Sequence, residues 1–182
     1  MCLIKLIIDI TNAIGILEKL MKFYSFRKVL RKNRVYAWRK LGCAISENVK
    51  ISSGVYIKFP SNVSIGSGTA MVGKNINIDS WGNIQIGKNV LINENVSLFS
   101  AGHPIDDPDF GDGTEFIKIG DYVWMPHNII VLPGVSIGNY AVIGTGSVVS
   151  RDVPDYGVAV GNPVKIVKER ARIKYNYVPS EF

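Results

Sequence analysis

Between Ile119 and Pro154 the large aliphatic residues recur every six positions. Ile119, Met125, Val131, Ile137, Ile143 and Val149 take the first place of successive hexads. The fifth place holds Val123, Ile129, Val135, Ala141, Ser147 and Val153, each small or β-branched. A helix buries every third or fourth residue and a flat strand every second. A strict period of six fits neither. It predicts short parallel strands wound into a solenoid, each coil stacking its apolar residues on the coil before. The second place carries Gly120, Gly138 and Gly144, with Pro126 and Leu132 as departures, and the fourth carries Asn128, Gly134 and Gly146. These residues allow positive φ or tolerate left-handed backbone, so corners are expected between the strands. The stacked core is worth roughly 1.5–3 kcal/mol per buried side chain.

Upstream, the hexads begin near Ile45 and are less regular. Ile65 starts one, an extra residue moves the register to Val72, SWGN interrupts at 80–83, and register returns with Ile86, Ile92 and Leu98. The expected fold class is therefore an all-β solenoid over 44–160. Its largest break is 99–118, FSAGHPIDDPDFGDGTEFIK, a Gly-, Pro- and Asp-rich loop of a length that is usually functional.

Residues 1–43 read as a separate helical segment. Leu3, Leu6, Ile7, Ile10, Ile14, Leu17, Leu20 and Met21 recur at threes and fours, which predicts an amphipathic helix over 3–21. The following 22–40 interleaves Lys and Arg with Phe23, Tyr24, Phe26, Tyr36 and Trp38. The helix could cap the solenoid or meet a neighbouring subunit. With the basic–aromatic stretch it could also lie on an anionic membrane surface. The tail, 161–182, is short and basic. A short strand or turn leading into a basic helix is expected there, with NYVPSEF frayed at the end.

Length and charge narrow this picture. One main domain suits 182 residues. A net charge of +6 favours an anionic ligand or surface without amounting to a nucleic-acid signal. Cys2 and Cys43 are isolated, as expected in a reducing cytoplasm, and two scattered Cys and two scattered His make no zinc site. Lys5 and Asp9 interrupt the apolar start, and no small-residue cleavage site follows, so neither a signal peptide nor a membrane span is expected.

His103, in SAGHP at the mouth of the break, is the leading candidate for chemistry. Imidazole titrates near neutrality, so it can accept a hydroxyl proton and return it. Its second nitrogen needs a partner. Asp106, Asp107, Asp109 or a backbone carbonyl could serve.

The stretch IGDYVWMPHNIIVLPGVSIGNYAVIGTGSVVSRDVPDYGVAVGNP resembles the hexapeptide-repeat acyltransferases. These include galactoside and maltose O-acetyltransferases, serine acetyltransferase and exopolysaccharide or capsule O-acetyltransferases. The resemblance implies a left-handed parallel β-helix of triangular section, a hand that opposes the usual crossover rule. It implies acetyl-CoA as acyl donor, no metal, a saccharide acceptor and a homotrimer with active sites between solenoids. It makes His103 the general base and Trp124 a wall of the acetyl site. The main chain at His127 and Thr145 would meet pantetheine; Thr145 stands where the family has Ala. Ser150 and Arg151 would lie near the nucleotide, with Arg151, Lys165 and Lys168 opposite its phosphates. DPDF at 107–110 and YIKFPSNVSIG at 56–66 resemble the colanic-acid type of exopolysaccharide O-acetyltransferase, which makes Asp106, Asp107 and Phe110 candidate acceptor contacts. Two other readings stay open: N-acetylation of an amino sugar nucleotide, and a solenoid scaffold that has lost its activity.

Overall fold

The computed structural model describes residues 34–182, and the compact unit within it is Val35–Phe182. The helix expected over 3–21 and most of the 22–40 stretch lie outside the described residues. Residues 35–40 are helical, and Val35 and Trp38 pack against the apolar core.

Five full coils follow, each with one strand on each of three sheets. The first coil carries β1 (Ala44–Ile45), β2 (Lys50–Ile51) and β3 (Val55–Lys58). The second carries β4 (Val63–Ile65), β5 (Ala70–Met71) and β6 (Ile76–Asp79), and the third β7 (Ile84–Ile86), β8 (Leu91–Ile92) and β9 (Val96–Phe99). A hairpin, β10 (Ala101–Gly102) with β11 (Gly113–Thr114), interrupts the winding. The fourth coil is β12 (Ile117–Ile119), β13 (Trp124–Met125) and β14 (Ile129–Val131), and the fifth β15 (Ser136–Ile137), β16 (Val142–Ile143) and β17 (Val148–Val149). Val153 then bridges to Ile137, and β18 (Gly157–Val160) closes the stack, with β19 (Lys165–Glu169) antiparallel beside it.

Sheet A runs β1-β4-β7-β12-β15, sheet B β2-β5-β8-β13-β16-β18-β19 and sheet C β3-β6-β9-β14-β17. Every pairing between coils is parallel. Ile119 stands over Ile86 and Ile137, and Val131 over Leu98 and Val149, so the hexad places become vertical columns. All these column residues are buried. The three parallel sheets and the sixfold register fit a left-handed β-helix.

The corners divide labour differently from the expectation. The second-place glycines are not the left-handed residues. A Cβ on Gly138 would lie 2.4 Å from the Asp155 nitrogen, and one on Gly120 would lie 2.7 Å from the Asn139 nitrogen. These glycines let one coil settle on the next. Positive φ belongs to the fourth place, at Tyr122 (57°), Asn128 (56°), Gly134 (77°), Tyr140 (61°) and Gly146 (77°). Asn and Gly take this conformation at little cost; tyrosine does not.

The tail also departs from expectation. No α-helix follows β19; the chain instead runs extended along the corner between sheets A and B and ends in a single 3-10 turn, Pro179–Glu181. The Arg170 amide donates to the Tyr156 carbonyl at 2.6 Å, and its guanidinium to the Tyr122 and Tyr140 carbonyls at 3.2 and 3.3 Å. Tyr177 Oη donates to the Tyr122 carbonyl at 3.0 Å and the Ser180 amide to Gly68 at 3.1 Å, while Lys50 Nζ reaches the Phe182 carbonyl. The end is tied down, with Pro179 buried. A basic helix would have left those corner carbonyls unpaired; the extended strap satisfies them.

Cys43 lies buried at the start of the first coil, its Sγ donating to the Val63 carbonyl at 3.4 Å. Burial pushes its thiol up to about 11. Among the described residues no helix is long and apolar enough to cross a membrane.

Candidate active site

The chain leaves sheet C after Phe99 and rejoins sheet A at Ile117, so the loop stands on the C–A edge of the prism. Its base is pinned. Glu115 N donates to the Ser100 carbonyl at 2.8 Å, and β10 pairs with β11 through Ala101–Thr114 and Gly102–Gly113. His103 follows this hairpin strand directly and is exposed.

The imidazole has defined partners. Nδ1 lies 3.1 Å from the Phe110 carbonyl and 3.1 Å from the Gly111 carbonyl. Both are acceptors only, so Nδ1 carries the proton and donates to them. Nε2 is then left with a lone pair. The Phe110 ring stacks on the imidazole at 4.2 Å between centroids and 13° between planes. Asp112 Oδ1 stands 3.6 Å from Nδ1.

The backbone around Phe110 is shaped for this. Phe110 is left-handed, with φ 49°. The Asp107 carboxylate accepts from the amides of Asp109 (3.0 Å) and Gly111 (2.9 Å), and the Phe110 amide donates to the Asp107 carbonyl at 3.1 Å. Asp107, read from the sequence as an acceptor contact, thus spends both oxygens on the turn that aims two carbonyls at the imidazole. Phe110, read the same way, has one ring face on His103. Asp106 is exposed on the loop. Asp109 contributes an amide to the turn rather than a carboxylate to the imidazole. The acid beside Nδ1 is Asp112, which is not among the residues expected from the sequence. FGDG at 110–113 is its signal, a run of turn residues facing back toward GHP.

The remaining candidates lie elsewhere on the prism. Trp124 points outward from sheet B, exposed, in register with Leu91 and Val142. His127 and Thr145 occupy stacked B–C corners, joined by the Gly146 amide donating to the His127 carbonyl at 3.1 Å. Ser150 and Arg151 are exposed at the C–A corner that follows β17, and Lys165 and Lys168 are exposed on β19. Within one chain the structure therefore brings His103 together with Asp107, Phe110 and Asp112. It leaves Trp124, His127 and Thr145 on other sides.

The three-sided stack of hexads, with an imidazole on the loop at its edge, has counterparts among known proteins. Residues 116–151 match the family model described as bacterial transferase hexapeptide (six repeats). Galactoside O-acetyltransferase of Escherichia coli strain K12 is 34% identical over 134 residues, covering 72% of this chain and 66% of that protein. A galactoside acetyltransferase solved in complex with coenzyme A is 33% identical, with a TM-score of 0.69 over 76% of this chain and 70% of that one. The polySia-specific acetyltransferase NeuO is 34% identical, with a TM-score of 0.55 over 74% of this chain and 68% of that one. The chain belongs to the hexapeptide-repeat acetyltransferases.

Proposed function

We propose that this chain transfers the acetyl group of acetyl-CoA to a saccharide hydroxyl, with His103 as general base. One observation carries the reading. Nδ1–H is held by two carbonyls, which fixes the tautomer and leaves the Nε2 lone pair for a proton. Nε2 takes the hydroxyl proton as the oxygen attacks the thioester carbonyl, and the carbon–oxygen bond forms. Collapse breaks the carbon–sulfur bond, and His103 returns the proton to the departing thiolate. The residues present suit the donor. Trp124 offers an apolar wall, the His127 and Thr145 corners run along the prism, and Arg151, Lys165 and Lys168 are exposed cations for phosphates.

His103 and Trp124 lie on different sides of one prism. A neighbouring copy would bring them together, which supports a homotrimer with the site at each seam. Likeness to NeuO and the YIKFPSNVSIG and DPDF stretches favour a polysaccharide or its precursor, in exopolysaccharide, capsule or lipopolysaccharide biosynthesis. The reading includes a cytoplasmic location; the basic N-terminal stretch, most of which lies outside the described residues, is a candidate for peripheral contact with the inner membrane surface as well as for packing on the solenoid. The test is acetyl transfer from acetyl-CoA to a saccharide panel, with the product's linkage read by mass spectrometry and alkaline lability. Alkali-labile ester made by the wild type and not by His103→Ala is expected. Equal turnover by both, or an alkali-stable amide product, sinks it.

A further inference from the structure

We propose that Phe59 and Trp81, flanked by the Lys58–Asp79 ion pair, form a platform that seats a ring of an oligosaccharide acceptor below His103. The proposal rests on the saccharide-transfer reading and names the form of its acceptor. Two large aromatic residues stand outside the core here. Phe59 is 39% exposed and Trp81 50%, with ring centroids 4.5 Å apart and planes tilted by 55°. Phe59 is left-handed, at φ 54°, an uncommon conformation for an aromatic residue. Lys58 Nζ lies 4.9 Å from the Trp81 ring, 5.7 Å from the Phe59 ring and 3.4 Å from Asp79 Oδ2. Half-exposed rings that already carry an ammonium over one face, with a carboxylate beside it, match the chemistry of a pyranose. Its C–H face packs on aromatic carbon, and its rim hydroxyls bond to charged groups.

The platform is held ready and adjoins the loop. Asn62 Nδ2 donates to the Ser80 and Trp81 carbonyls at 2.9 and 3.0 Å, fixing the backbone under the indole. The Gly82 amide donates to Ser100 Oγ at 3.0 Å, and that hydroxyl lies 3.1 Å from the Asp79 carbonyl. Ser100 begins the three-residue run to His103. Extended-chain geometry then puts Trp81 within at most about 20 Å of His103 along the backbone. Phe59, Trp81 and the loop rise from successive coils of one edge. At about 4.8 Å per coil the two steps between them make a strip of roughly 10 Å, longer than a single sugar ring. An acceptor of two or more rings lies along it, one on the aromatic pair and another at the imidazole.

Calorimetric titration of the full-length protein without acetyl-CoA tests the seat. The probes are maltotetraose, cellotetraose and tetragalacturonate, each against glucose. At least one tetrasaccharide is expected to bind more tightly than glucose. Its Kd should rise about tenfold in Trp81→Ala and less than threefold in Trp81→Phe, with thermal stability and oligomeric mass unchanged. If binding behaves so and no acetyl group moves, the platform stands and the transfer reading fails. If acetyl transfer to oligosaccharides proceeds with one KM in wild type and Trp81→Ala, transfer stands and the platform falls. It falls equally if none of the three probes binds. It also falls if Trp81→Ala changes the oligomeric mass and not the affinity, which would make the pair a contact between copies.

Discussion

Two edges of the same prism show how one repeat serves opposite ends. On the A–B edge, successive corners carry Tyr122, Tyr140 and Tyr156, all left-handed. Their rings stack at 5.2 and 4.6 Å, and the tail lies over them, with Arg170 3.8 Å from the Tyr175 ring. On the C–A edge the winding opens instead into a loop whose Phe110 is also left-handed. There the strained residue points a carbonyl at an imidazole and keeps a face open to solvent. Both edges hold an aromatic residue where Asn or Gly would rest more easily. One uses the strain inside a closed ladder; the other places it beside the chemistry.

If that division is right, the two edges fail in different ways. His103→Ala should cut acetyl transfer about a thousandfold, the span of a general base, while leaving the melting temperature within about 2 °C. Steady-state rates and a thermal melt on the same preparation check it. A large stability loss would mean that the loop edge is structural too. Deleting residues 170–182 should do the reverse. It removes the guanidinium contacts to Tyr122 and Tyr140 and the buried Pro179, a loss of about 3 kcal/mol after the entropy of ordering the strap is counted. The melting temperature should fall by about 8 °C, with the transfer rate at 20 °C within about threefold of the intact chain. A melt that does not move would show the strap to be decoration.

The hexad columns are legible in the sequence because burial in a coil repeats with it. Ile119 and Ile137, 18 positions apart, must share a column once the period is six; Val153, a fifth-place residue, joins them only because the last coil is two residues short, which the period does not foretell. His103 stands out because GHP opens the only long aperiodic run among the hexads. What holds its second nitrogen is not legible. The carbonyls of Phe110 and Gly111 reach it through a left-handed residue set by an Asp107 turn, and backbone direction leaves little trace in composition. The strap is hidden for a related reason. Lys165 to Tyr175 has helix-compatible residues, but corner carbonyls on distant coils outbid local propensity. The tyrosine ladder is equally hard to see, because its members stand 18 and 16 positions apart, at places where a turn residue is expected.

A smaller change sharpens the loop edge. Asp107→Asn keeps the shape of the side chain but offers one oxygen where two amides now donate, so one amide loses its acceptor. The Gly111 turn loosens, and the imidazole loses part of its fixed geometry. A fall in kcat of about tenfold is expected, with KM for acetyl-CoA and the melting temperature nearly unchanged. Asp107→Ala should be worse, since it offers neither oxygen. If both variants match the wild type in kcat, the turn does not position His103, and the contrast between the edges rests on the loop's openness alone.

The finest test sits on the closed edge, at Tyr140→Asn. Asparagine is what the chain uses at Asn89, Asn95 and Asn128, all left-handed, so the exchange relieves backbone strain. It also removes two stacked neighbours, Tyr122 and Tyr156, each worth about 0.5–1.5 kcal/mol beyond its buried area. Two stacks should outweigh one relieved corner, so the intact chain should lose about 1 kcal/mol in urea unfolding. Without residues 170–182 the ladder loses Tyr175 and Arg170 as its outer layer, and the same exchange should be close to neutral. The difference between the two measurements is the coupling of ladder to strap. A coupling near zero would mean that the tyrosines stack for themselves and the tail merely lies beside them.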